Sequence, residues 1–169
     1  MENIPIYFRD NFFSAGVTKI FNENKEELGS LDLKSAFKSS VDILDVEGNI
    51  IVKGRFKFFS NRWQITSDSN QLLGTLRQRF TFMKKRFEYD AHDRGLYRIE
   101  SEAFSREYRV LNDQEEVIAD FNRLNGFFEA PAFRLTNSSD KLSNKELVAI
   151  VMGVNMIQKR NQAAASSGS

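Results

Sequence analysis

Short alternations of apolar and polar residues run along most of the chain and are broken at regular intervals by polar clusters. Val41 and Ile43 flank Asp42. After a break, Ile50, Val52, Phe56 and Phe58 alternate with Ile51, Lys53, Arg55 and Lys57. Tyr108 and Val110 lead into another break, and Val117, Ala119 and Phe121 lead out of it. A period of two marks a strand with one buried face. Phe56 and Phe58 are therefore expected to point inward, and the cations between them outward.

The breaks are Asn22–Lys25, Asp45–Asn49, Ser67–Asn70, Asp90–Gly95, Asn112–Glu115 and Thr136–Asp140, and their starts lie 22 to 24 residues apart. A second series runs out of phase: Phe13, Phe37, Phe59, Phe80, Phe104 and Phe128, at intervals of 21 to 24. Self-similarity at a fixed period points to one supersecondary unit used repeatedly. Asn, Asp, Ser and Gly at the breaks are hairpin-turn residues. Six tips are flanked by eleven strands, and Ile4 to Phe8 supplies a twelfth, with Pro5 tolerated at a strand start or edge.

The pattern changes after the last tip. Ser143-Asn144-Lys145-Glu146 has the form of a capping box, with Ser143 as N-cap and Glu146 three residues on. Leu147 to Ile157 follows, apolar on every helical face, and Lys159 and Arg160 suit the negative end of a helix dipole. A helix apolar all round lies in a membrane or inside protein. Eleven residues rise about 16 Å, too short for a bilayer. In a two-sheet sandwich with the helix on one side, the outward face would need Lys or Glu, and this face carries Val, Ile and Met. The expected fold is mainly β: a closed antiparallel barrel of about twelve strands, built from hairpin repeats and enclosing a hydrophobic C-terminal α-helix. Residues 1–161 are expected to form one domain, with the helix at about 144–160 and a flexible tail at 162–169.

Composition adds limits. The 169 residues, 41% hydrophobic and 28% charged, suit one globular domain. Sixteen Phe against two Pro point to an aromatic core. With no Cys and one His, disulfides, thiolate metal sites and two-His zinc motifs are excluded, and no cofactor is expected. His92 lies beside Asp90 and Asp93, but in a turn without a nucleophile, so it reads as a solvated tip residue. Asp45, Glu47 and Asn49 imitate the start of a calcium loop, yet Ile50-Ile51-Val52 follows where a bidentate acid is required. No phosphate-cradling glycine loop or nucleophile elbow occurs. Since the helix fills the place where a barrel holds a ligand, an enzyme is not expected. The first ten residues lack a basic start followed by an apolar run, so a cytoplasmic protein is expected, peripheral at the inner membrane face if it meets lipid.

Charge is the feature that bears on function. Net charge is +1, but Lys53 to Arg86 holds nine basic residues against Asp68 alone. That segment is +8, and the remaining fifteen basic and twenty-two acidic residues make −7. The candidate anion-binding residues are Lys53, Arg55, Lys57, Arg62, Arg77, Arg79, Lys84, Lys85 and Arg86. Alternate residues share a strand face, so neighbouring strands would assemble these into one basic wall. Such a wall suits anionic lipid head groups or an acidic protein partner. The other reading is that these side chains only solubilise the barrel, with acids on adjacent strands compensating. Nucleic acid is not expected, because no recognisable nucleic-acid-binding module is present. Oligomeric state has no signature here.

The repeated hairpins, the Arg55-Phe56-Lys57-Phe58-Phe59-Ser60 segment, the Asp45-Val46-Glu47-Gly48-Asn49 turn and the apolar C-terminal helix resemble the tubby C-terminal-like superfamily. That superfamily takes in tubby proteins, phospholipid scramblases and LURP-one-related proteins. The resemblance runs from Ile4 to about Asn161, and size and repeat style are most similar to small bacterial LURP-one-like members. It implies a twelve-stranded barrel around a central helix. Within that superfamily, tubby domains bind phosphoinositides through basic pockets and scramblases are tied to calcium and lipid movement. No binding-site motif matches residue by residue, so no residue role is carried over.

Overall fold

A computed structural model describes residues 4–34, 39–80, 85–101 and 106–167, and of Lys85 the backbone only. Phe37, Phe104 and Lys84 lie outside the described residues. The strands are β1 (Ile6–Arg9), β2 (Gly16–Phe21), β3 (Glu27–Leu33), β4 (Ser40–Leu44), β5 (Ile50–Phe56) and β6 (Trp63–Ser67). They continue as β7 (Leu72–Phe80), β8 (Lys85–Asp90), β9 (Leu96–Ser101), β10 (Tyr108–Leu111), β11 (Val117–Leu124) and β12 (Ala132–Asn137). Each pairs antiparallel with its sequence neighbours, and β12 returns to β1, closing the barrel without a free edge.

The six expected tips all lie at one end, and the structure supplies the reason for their repeat. A polar side chain at or near the start of each turn accepts a backbone N–H further on, the geometry of an Asx or Ser turn. Asn22 Oδ1 accepts from Asn24 and Glu26 at 2.9 Å, Asp45 Oδ1 from Asn49 at 2.8 Å, and Ser67 Oγ from Gln71 at 3.2 Å. Asp90 does the same for His92, Asn112 for Gln114 and Glu116, and Asn137 for Ser139. Asp45 belongs to a hairpin, not a calcium loop, and the Asn49 N–H holds its carboxyl below the usual range. His92 is exposed.

The C-terminal helix α1 (Asn144–Ser167) descends through the barrel from the tip end. Leu147 to Val154, Met156 and Ile157 are buried, so the all-round apolar surface is enclosed as its sequence requires. The helix continues to Ser167, past the expected end near residue 160, because Ala163 to Ala165 favour helix and nothing breaks it. Lys159 and Arg160 therefore do not form the last turn. They sit at the lower mouth, where Lys159 Nζ donates to the Phe13 carbonyl at 3.2 Å and Arg160 to the Ser60 carbonyl at 3.0 Å.

Within the barrel the helix leans on β4 to β7. Close approach there depends on two glycines that sandwich Trp63. A Cβ on Gly153 would stand 2.4 Å from the indole, and one on Gly54 2.6 Å. Trp63, fully buried, donates Nε1–H to the Ala149 carbonyl at 3.1 Å. The far side is filled by Phe8, Phe12, Phe13, Tyr108, Phe121 and Phe133. Phe12 and Phe13, on a short 3-10 turn after β1, meet edge-on at 4.7 Å, and Phe121 stacks on Phe133 at 5.1 Å. Burying each such ring contributes roughly 1.5–3 kcal/mol.

The aromatic expectation fails at the lower end. Phe58 does not point inward: β5 stops at Phe56, and the Lys57 N–H bonds to the Arg62 carbonyl at 2.8 Å, turning the chain. Phe58, Phe59 and Phe80 are 83%, 95% and 86% exposed. Of the out-of-phase series, Phe13, Phe59, Phe80 and Phe128 thus fall in or beside connections opposite the tips, where Phe13 is buried while Phe59 and Phe80 face water.

Candidate anion-binding face

Pairing geometry decides which cations meet. In β5 the inward set is Val52, Gly54 and Phe56, which leaves Lys53 and Arg55 outward. Register sets Lys53 against Thr66 and Arg55 against Gln64 on β6, and Gln64 against Thr75 on β7. Arg77 lies opposite Glu88 and Arg79 opposite Arg86 on β8. Lys53, Arg55, Arg77, Arg79 and Arg86 therefore share the outer face of four adjacent strands. Lys57 and Arg62 are not on strands. They stand exposed on the β5–β6 connection, at the lower edge of that face.

The face is less positive than the segment total. Glu88 accepts from Arg77 Nε at 2.9 Å and from Arg79 Nε at 3.2 Å, and Arg55 lies 3.4 Å from Asp42 on β4. Lys53 Nζ donates to Asn70 Oδ1 at 2.9 Å. Acids on adjacent strands are one of the two readings of the sequence, and the pairing identifies them as Asp42 and Glu88. Glu88 falls two residues beyond Arg86, where the basic run ends, and Asp42 precedes Lys53 by a hairpin. Folding each strand onto the next would have brought them in. The arginines of these pairs remain partly in water, so each pair contributes little stability, about 1 kcal/mol. Among the described residues, no hydrogen bond or ion pair engages the side chain of Lys57 or Arg62. Both cations stand exposed at the lower edge. Lys85 Cα enters the same region, opposite Phe80.

A second polar constellation lies at the tip end and had no sequence signal. Glu146, 2% exposed, receives Arg94 NH1 on Oε2 at 2.7 Å and NH2 on Oε1 at 2.8 Å, and the Tyr89 hydroxyl also donates to Oε1. Arg94 further reaches the Leu73 carbonyl at 2.6 Å and the Lys141 carbonyl at 3.1 Å. Half of the expected capping box forms: Ser143 Oγ accepts the Glu146 N–H at 3.2 Å. The Glu146 carboxylate, however, turns to Arg94 and ties the helix start to the wall. Burial, and next the charge of Glu146, raises the Tyr89 hydroxyl well above its usual range, so it stays a donor. Beside this clamp is a cleft of about 290 Å³ lined by Arg94, Asn112, Gln114, Glu116, Ser138 and Lys141. Its mixed charges give no preference for anions.

No helix among the described residues is long and apolar enough to cross a membrane. A family profile described as LURP-one-related matches residues 7–152. Among solved structures, the X-ray structure of an Arabidopsis thaliana protein is similar in fold, with a TM-score of 0.58 and 19% identity over 90% of this chain and 93% of that one. No curated protein matches the chain significantly.

Proposed function

The chain belongs to the LURP-one-related family, and from that premise we propose that it is a non-enzymatic binding domain that docks on anionic membrane lipid through the outer face of β5 to β8. The carrying observation is the shared outward register of Lys53, Arg55, Arg77, Arg79 and Arg86, continued by Lys57 and Arg62 at the lower edge. Cations so grouped attract an anionic surface, each near one adding about 1 kcal/mol. Support for a non-catalytic role comes from the interior, where the helix occupies the volume in which barrels hold ligands. Attachment would place the protein at the periphery of a membrane.

Co-sedimentation with vesicles tests this. Binding is expected to phosphatidylserine-containing vesicles but not to neutral phosphatidylcholine ones, and to weaken as salt rises. Lys53, Lys57 and Arg62, each changed to Glu, are expected to abolish it. Indifference of bound protein to those changes overturns the reading. The pairing of Arg55, Arg77 and Arg79 with Asp42 and Glu88 favours a second reading, a structural or regulatory protein-interaction domain whose charges only solubilise it. An unchanged partner list on pull-down with the same triple variant is expected from that reading alone.

A further inference from the structure

Phe58, Phe59 and Phe80 form an apolar rim that contributes nothing to the barrel. Single exposed apolar residues are ordinary, but a cluster of large ones on an otherwise polar surface marks a contact site. The Phe58 and Phe59 rings touch, with centroids 4.1 Å apart. Asn161, where the helix leaves the barrel, bonds both Asn61 and Gln78, which holds the β5–β6 connection beside the end of β7. The three rings therefore occupy one sector of the lower mouth.

Phe59 adopts φ +51°, a left-handed conformation that favours Gly or Asn and is uncommon for a bulky side chain. At 95% exposure its ring adds nothing to the core. The same rim carries cations. Lys57 and Arg62 flank the two rings in sequence, Arg79 precedes Phe80, and Arg160 caps the mouth with its guanidinium 3.3 Å from the Phe56 ring centroid. Aromatic rings ringed by Lys and Arg match a bilayer boundary, where rings enter between head groups and cations meet lipid phosphates. Charge also argues against a second copy as the occupant. An isologous pair across this rim would bring its cations against the cations of the second copy.

Resting on the membrane-docking reading, we propose that this rim is an insertion edge: Phe58, Phe59 and Phe80 enter the head-group and acyl boundary of an anionic bilayer while Lys57 and Arg62 engage the head groups. The barrel then meets the membrane lower mouth first, with the Asn22, Asp45 and Asn112 tips farthest from it. Charge alone would leave the protein on the surface, whereas insertion adds an apolar component that survives salt.

The cysteine-free chain permits a direct test. A polarity-sensitive dye is attached to Phe58→Cys or, as a control, to Glu47→Cys at a far tip, and phosphatidylserine/phosphatidylcholine vesicles are added. The dye at 58 is expected to shift to the blue and to be quenched by acyl-chain-brominated lipid, and the dye at 47 to do neither. The combined Phe58→Ala, Phe59→Ala and Phe80→Ala variant should melt as the parent does and bind vesicles at least about tenfold more weakly. If the parent binds vesicles, the dye at 58 stays unquenched and the alanine variant binds equally, insertion is overturned and charge-driven docking stands. If the parent fails to bind anionic vesicles, both fall. If the alanine variant instead converts a dimer to a monomer in sedimentation, the rim is a self-association surface and insertion is again overturned.

Discussion

Arg94→Ala is expected to lower the unfolding free energy by about 3–5 kcal/mol, measured by urea denaturation. The arginine satisfies both oxygens of a carboxylate buried to 2% exposure, and two backbone carbonyls besides. Without it, Glu146 keeps only the Tyr89 hydroxyl and its own place at the helix start, where the dipole favours negative charge. Removing one partner of a buried pair costs far more than replacing both. Arg94→Met combined with Glu146→Leu is accordingly expected to lose much less than Arg94→Ala alone. A loss below about 1 kcal/mol for Arg94→Ala would mean that the pair behaves as an exposed one. The helix would then not be anchored at this point.

Gly153→Ala should reverse the usual sign of a helix substitution. In an exposed helix interior the change gains roughly 1 kcal/mol. Here the new methyl would stand 2.4 Å from the Trp63 indole, which is pinned by its bond to Ala149 and backed by Gly54. Neither wall can retreat cheaply, so a net loss of about 2–3 kcal/mol is expected from overpacking. The loss should shrink in a Trp63→Leu background, where the methyl meets a shorter, flexible side chain. A double-mutant cycle by urea denaturation gives this coupling directly. A stabilising Gly153→Ala in the parent would show that helix and wall are not in contact at Trp63.

The architecture was largely legible because its determinants are local. Asn22, Asp45, Ser67, Asp90, Asn112 and Asn137 each close their own turn through a side-chain acceptor, so the repeat in sequence is a repeat in hydrogen bonding. The helix advertised its burial because no face of Leu147 to Ile157 was polar. What stayed hidden depends on where elements stop and on what lies across the barrel. Alternation continues through Phe58 although the strand ends at Phe56, since a turn made by two backbone groups leaves no mark on side-chain polarity. Of the candidate face, the outward register of Lys53, Arg55, Arg77 and Arg79 followed from period two. Compensation by acids on adjacent strands is one of the sequence's two readings; that Asp42 and Glu88 are those acids did not follow, because counting charge along the chain ignores the partner strand. Arg94 and Glu146 meet across 52 residues, and no spacing rule joins them.

Site-directed thiol labelling tests the enclosed helix most directly, because the parent has no cysteine. Single cysteines at Ala149, Met152 and Val154 sample three faces of α1, and one at Ala163 samples its exposed end. In native buffer the first three are expected to react only as fast as the protein unfolds, and to react at once in urea, while Ala163→Cys reacts immediately in both. Rapid native labelling at any of the three interior positions, with the fold intact by circular dichroism, would show a helix with a wet face and contradict a barrel closed around it.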